Sequence, residues 1–158
     1  MHKTLESADF VVTGAKNIRN IIQKEHDYQK SIPVISCGVD INVFKPMQIP
    51  QNIYDKYNIP KNNKLILSIG RLIERKGFDT VIKALPHFMT EYDNFTYLIG
   101  GRGKYEAELK RIACELNVSD HVRFLGYIPD EDVAFLYNVC DIFVMPSREI
   151  GSDIEGFG

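Results

Sequence analysis

"LILSIGRLIERKG", residues 65–77, decides how this chain is read. A short apolar run, 65–69, ends at Gly70; Arg71, Arg75 and Lys76 follow, and Gly77 closes the stretch. An apolar run of this length that stops at glycine predicts a buried strand. Three cations at the carboxyl end of a buried strand then need a reason to be there.

Working outward from that strand, the pattern alternates. Residues 64–70 predict the first strand, and 78–92 a helix whose stripe is Val81, Ile82, Leu85, Phe88 and Met89, with a kink or break expected at Pro86. "FTYLIG" (95–100) predicts a second strand, 104–118 a helix with Leu109, Ile112, Ala113 and Leu116 on one face, and 122–128 a third strand. Residues 130–140 predict a third helix, opened by Pro129 and a cluster of acids that complement its dipole, and 141–146 a fourth strand. Alternation at this spacing implies α/β architecture: a Rossmann-like parallel sheet with helices on both faces.

The first 60 residues differ in character. Strands are expected at 9–13 and 33–39 with a helix over 15–25 between them, followed by a proline-bearing polar stretch with Pro46, Pro50 and Pro60. The expected division is therefore 1–45 as the end of one unit, 46–60 as a linker, and 61–158 as the start of another domain. The acidic, turn-like close "PSREIGSDIEGFG" has no helix behind it, so the chain is expected to be a fragment, with strand four left as an apolar edge.

Composition removes several classes. The 158 residues are 44% hydrophobic and 25% charged, as in ordinary globular chains, and a net charge of −2 gives no global field for nucleic acid. No apolar run approaches the roughly 18 residues of a membrane span, and the amino terminus lacks the apolar core of a signal peptide. Three widely spaced cysteines without a CxxC suit reduced thiols and a cytoplasmic setting, and four scattered histidines offer no metal-ligand cluster.

A doubly wound sheet binds ligands at the carboxyl ends of its strands, where strand order reverses. With the common order 3-2-1-4 the reversal lies between strands one and four, so the loops "RLIERKG" and "SREIGSDIEGFG" share one crevice. Cations there suit an anionic ligand: arginine grips phosphate with two N–H groups, and lysine acts as a compact charge. The run alone is equally the mark of a solvated loop; its position, with glycine on both sides to allow close approach or a left-handed turn, favours a site. "IGGRGKYEAELK" puts Gly100, Gly101 and Gly103 between a strand and a helix, another place for an anion or simply a tight turn. It lacks the third glycine of GxGxxG and carries Glu106 and Glu108, and strand two does not end in a ribose-binding acid, which counts against a nicotinamide-binding fold. Tyr127 and Ile128, at the carboxyl end of strand three, suit either the flank of a nucleotide base or packing. Ser68, Ser147 and Asp153 have no partner base in a nucleophile context.

Together, "SIGRLIERKGFDTVIKAL", "LIGGRGKYEAELK", "VRFLGYIPDEDVAFLYNVCDIFVMPS" and "EGFG", with "ADFVVTGAKNIRNII" and "IPVISCGVDINVFKP" upstream, resemble the retaining glycosyltransferases of the glycosyltransferase family 4, or group 1, type. The resemblance implies a GT-B fold of two Rossmann-like domains, of which this chain covers the crossover and most of the first half of the donor-binding domain. It implies transfer of a sugar from a nucleotide-diphosphate donor to an acceptor hydroxyl with retention, in glycan, glycolipid or polysaccharide synthesis. Arg71 and Lys76 would neutralise the diphosphate and Glu155 would face the donor sugar. Gly70, Gly101, Tyr127, Ile128, Ser147, Phe157 and Gly158 would complete the donor site. No bound metal or cofactor is implied, since the nucleotide sugar is a substrate. The partners implied are that donor and a glycan or lipid-linked acceptor, with no nucleic acid, and with peripheral contact to the inner face of a membrane left to the acceptor domain. The second Glu of the family's E-x7-E pattern would fall at position 163, past the last residue. The isolated chain is therefore expected to bind donor weakly and not to transfer sugar. A non-catalytic nucleotide-sugar-binding module and a GT-B nucleotide-sugar epimerase are the alternatives.

Overall fold

The computed structural model describes residues 5 and 7–151; Glu155, Phe157 and Gly158, named above for the donor site, and Asp153 lie outside the described residues. Among the described residues, β1 (Lys64–Ile69), β2 (Phe95–Gly100), β3 (Val122–Gly126) and β4 (Ile142–Phe143) form one parallel sheet in the order β3-β2-β1-β4. Within the described residues, α-helices run as α1 (Lys16–Glu25), α2 (Gln51–Lys56), α3 (Phe78–Phe88), α4 (Glu106–Glu115) and α5 (Asp130–Val139). The α/β Rossmann-like class and the expected strand order both hold.

Strand alternation builds two cores. Ile66, Phe95, Tyr97 and Ile99 face α3 and α4, meeting Ile82, Leu85, Leu109 and Ile112. Leu65, Leu67 and Leu98 face the other way and meet Ile53 of α2, Tyr57 and Ile59 just after it, and Leu136 of α5. The stretch read as linker thus carries a packed helix. Its seat is polar as well as apolar: Lys56 and the Tyr57 hydroxyl both donate to Asp132 Oδ2 at 2.5 Å, joining α2 to α5. Burial pushes the Asp132 carboxyl up, and these two donors more than reverse it, so it lies below the usual carboxylate range.

Two helices end by one local rule. After α2, Asn58 is left-handed (φ 50°), its N–H reaches the Asp55 carbonyl at 3.2 Å, and the Ile59 N–H reaches Tyr54 at 2.8 Å. After α4, Asn117 (φ 56°) and Val118 repeat the pattern on Cys114 and Ala113. Asparagine tolerates the left-handed turn, and the aliphatic residue after it, Ile59 or Val118, drops into the core.

Three expectations are corrected. Pro86 does not break α3: it lies one turn from the end, so the helix loses a single intrahelical bond, and Met89 N–H still reaches the Leu85 carbonyl at 2.9 Å. Strand four is paired only at Ile142 and Phe143, against Ile66 and Leu67, because the chain leaves the sheet before Pro146, which has no N–H to give a ladder. The strands expected at 9–13 and 33–39 shrink to one parallel bridge between Thr13 and Val34. A lone parallel pair with exposed Phe10 and Ile35 lacks the further strands that would stabilise it.

Leu67 is fully buried at the centre of the sheet. Leu67→Ala should lower stability by about 2–5 kcal/mol, read as a shift of the denaturant midpoint at unchanged m.

Candidate functional site

The strand order reverses between β1 and β4, so the loops after these strands share one end of the sheet. The loop after β1 turns through a short 3-10 helix, Glu74–Lys76, into α3. Gly77 is the hinge: it adopts a left-handed φ of 69° and caps α3. Of the three cations in this loop, Arg71 is exposed, Lys76 is half-buried and Arg75 is buried. The aliphatic stem of Lys76 lies over Gly70, its Cε 3.6 Å from where a Cβ on that glycine would stand. Lys76 is thus folded back onto the carboxyl end of β1, over the residue that precedes Arg71 in sequence.

The neighbouring loops are laced to this one by backbone. Gly70 N–H donates to the Gly100 carbonyl at 2.9 Å and Leu72 N–H to Arg102 at 3.0 Å; Tyr105 N–H returns to Leu72 at 3.0 Å. Gly101 N–H reaches the carbonyl of Gly126, the last residue of β3, at 2.7 Å. These contacts need bare backbone. A Cβ at Gly101, where φ is 128°, would stand 1.9 Å from the Gly70 carbonyl oxygen, and one at Gly103 would stand 2.2 Å from the Leu72 oxygen. The glycines of "IGGRG" therefore serve loop-to-loop contact.

The segment after β4 closes the fourth side. The Pro146 carbonyl oxygen passes so close to Gly77 that a Cβ there would stand 1.9 Å from it. Arg148 N–H donates to the Arg75 carbonyl at 2.8 Å. The Arg148 guanidinium bonds Asp79 Oδ2 at 3.0 Å and Thr80 Oγ1 at 3.3 Å, and lies 3.5 Å from a Glu74 oxygen. Asp79 is 1% exposed and also accepts from Lys83 at 2.8 Å. Burial pushes its carboxyl up, and the bonds from Lys83 and Arg148 more than offset that, holding it below the usual range.

The remaining sequence candidates are placed as follows. Tyr127 is 61% exposed at the carboxyl end of β3, with the Arg102 guanidinium 5.7 Å from its ring centre. Ile128, expected beside a base, puts its side chain into the core under Gly100, so only its backbone is left to meet a ligand. Ser147 is half-buried between Pro146 and Arg148. Ser68 is buried, donates to the Val144 carbonyl at 2.6 Å and accepts from Tyr97, a structural use that fits its lack of a nucleophile context. Among the described residues no three His, Cys, Asp or Glu side chains converge as a metal site. Sequence reading missed Arg148 and Asp79, which pair across 69 positions and carry no local pattern.

Comparison with known proteins fits this geometry. The profile described as glycosyl transferases group 1 matches residues 51–158, and the chain belongs to that family. A GDP-mannose-dependent alpha-(1-6)-phosphatidylinositol monomannoside mannosyltransferase of Mycolicibacterium smegmatis is 33% identical over 154 residues, covering 96% of this chain and 40% of the relative. The GDP-mannose-dependent monoacylated alpha-(1-6)-phosphatidylinositol monomannoside mannosyltransferase of Corynebacterium glutamicum is 36% identical over 129 residues, covering 78% and 33%. Among solved structures, sucrose-phosphate synthase of Thermosynechococcus elongatus superposes with a TM-score of 0.77 at 26% identity, over 99% of this chain and 38% of that one. The Anabaena protein HepE in complex with UDP and glucose shares the fold, with a TM-score of 0.76 at 22% identity over 92% of this chain and 42% of that one. The chain spans about a third to two-fifths of the length of these curated relatives.

Two predictions come from this geometry. Gly101→Ala forces a side chain into a left-handed backbone and against a carbonyl, and should cost at least about 1–3 kcal/mol; Gly70→Ala, whose Cβ would meet only ordinary contacts, should cost less, and paired denaturant melts compare them. Asp79 has a depressed folded pKa, so its contribution is present above the unfolded value of about 3.9 and is lost as pH falls through the folded value. Thermal melts between about pH 5 and pH 3 should therefore fall more steeply for the parent chain than for Asp79→Asn.

Proposed function

We propose that this chain supplies the nucleotide-sugar side of a retaining hexosyltransferase. The observation that carries this reading is Lys76 folded over Gly70, the residue before Arg71, at the carboxyl end of β1 where the strand order reverses. In transfer, the bond from the anomeric carbon to the donor phosphate oxygen breaks, a bond to the acceptor oxygen forms on the same face, and the acceptor hydroxyl's proton passes to the departing phosphate oxygen. The diphosphate leaves with the electron pair, and Arg71 and Lys76 meet that developing charge. Cations held by a fixed backbone do so without reorganising, and no metal or cofactor is assigned a step. Tyr127, exposed and backed by Arg102, is the surface proposed for the base, with Gly70, Gly101, the Ile128 backbone and Ser147 around the phosphates.

The relatives support the substrate class. Two are GDP-mannose-dependent mannosyltransferases that act on a phosphatidylinositol mannoside, and one structural neighbour holds UDP and glucose. The donor inferred is a nucleoside-diphosphate hexose, and the acceptor a glycan or lipid-linked sugar. Free Cys37, Cys114 and Cys140 suit a reducing cytoplasm, and a lipid-linked acceptor would bring the protein to the inner face of a membrane.

Calorimetric titration with UDP, GDP and ADP tests the reading. One of them should bind, and the Arg71→Ala, Lys76→Ala double variant should weaken it about 100-fold or more, from two charge-assisted contacts of about 1.5–3 kcal/mol each. A folded chain that binds none of the three, or a double variant that binds as well as its parent, would contradict it.

A further inference from the structure

We propose that Arg148 is a positioning residue for the donor diphosphate: it clamps the loop that carries Lys76 on both sides of that lysine and ties it to the segment after β4. This inference deepens the donor-site reading above and rests on it. The contacts of Arg148 bracket Lys76 in sequence. Before it, the Arg148 N–H binds the Arg75 carbonyl at 2.8 Å and the guanidinium faces Glu74 at 3.5 Å. After it, the guanidinium binds Asp79 at 3.0 Å and Thr80 at 3.3 Å. Between these anchors lies Gly77, its left-handed backbone pressed under the Pro146 carbonyl.

The chemistry favours a clamp over an incidental surface pair. Asp79 is 1% exposed, so its partner is held against a desolvated carboxylate, and the Arg148 side chain is itself only 34% exposed. The pairing joins the first turn of α3 to the segment after β4, 69 positions apart in sequence and on either side of the strand-order reversal. Lysine has four rotatable bonds, so a lysine that grips phosphate well needs its backbone fixed. Arg148 supplies that constraint without being required to touch the phosphate.

The test is a double-mutant cycle read by NMR titration of the chain with UDP, GDP and ADP, across the parent, Arg148→Ala, Lys76→Ala and the double variant. Arg148→Ala should weaken the nucleotide that binds about tenfold in the parent and less than twofold in the Lys76→Ala background. Arg148→Lys, which keeps the charge but loses the fork, should recover only part of the loss. Should Arg148→Ala lose its dispersed amide spectrum, Arg148→Lys and Thr80→Val carry the same cycle. An unchanged affinity, or an equal loss in both backgrounds, overturns the clamp while leaving the donor site standing. If the parent binds no nucleoside diphosphate, the donor-site reading and the clamp fall together.

Discussion

Everything at the functional end of this molecule depends on bare backbone meeting bare backbone at the carboxyl edge of the sheet. The carbonyl of Gly70 sits where any side chain on Gly101 would collide with it, and the carbonyl of Pro146 sits in the same way on Gly77. These approaches let the segments after β1, β2 and β4 bond to one another and to the last residue of β3. Without them the loop after β1, which carries both Arg71 and Lys76, would be a flexible connection, and two cations on a flexible loop cannot present a fixed target to a diphosphate. The strands supply the base for this arrangement through two apolar cores, one on each face, and the helices set the exit directions of the loops.

Charge is distributed according to the same geometry. The loop after β1 carries three cations, yet they have three fates. Arg75 turns inward, Lys76 lies across Gly70, and Arg71 remains exposed. On the other side of the loop, Arg148 is committed to Asp79 and its neighbours. Several cations so close together would repel one another in a low-dielectric setting. The buried Asp79 in the first turn of α3 and Glu74 in the loop offset that repulsion, which is a physical reason for acids beside cations proposed to meet an anion. The Asp132 network joining α2 to α5 works on the opposite face of the sheet and has no such functional neighbour.

Much of the fold was legible in the sequence because its signals are local. The strand at 64–70 and the strand at 95–100 were bounded by glycine and an apolar run, and the helix at 130–140 by Pro129 and its acids. What was not legible came from distant partners. Strand four looked six residues long because 141–146 is apolar, but pairing depends on where β1 and Gly77 let the chain run. Residues 46–60 looked like a linker because prolines and polar residues punctuate them, while Ile53, Tyr57 and Ile59 are spaced to reach a core the local pattern does not mention. In the site, Arg71, Lys76 and the glycines announced themselves by position after a strand. Ile128 was read from its position as a neighbour of a base, but its burial under Gly100 is a tertiary fact, and Arg148 stood out only once its partner across the reversal was visible.

The central claim is that the carboxyl-end loops act as one pre-assembled diphosphate cradle. The most direct measurement is a map of backbone amide shifts in the isotope-labelled chain on addition of a nucleoside diphosphate. Amides of residues 70–77, 101–105, 126–128 and 147–148 should shift together along one titration curve, while α2 and the bridge between Thr13 and Val34 stay unmoved. Shifts confined to one loop, or centred on the opposite edge of the sheet, would contradict it.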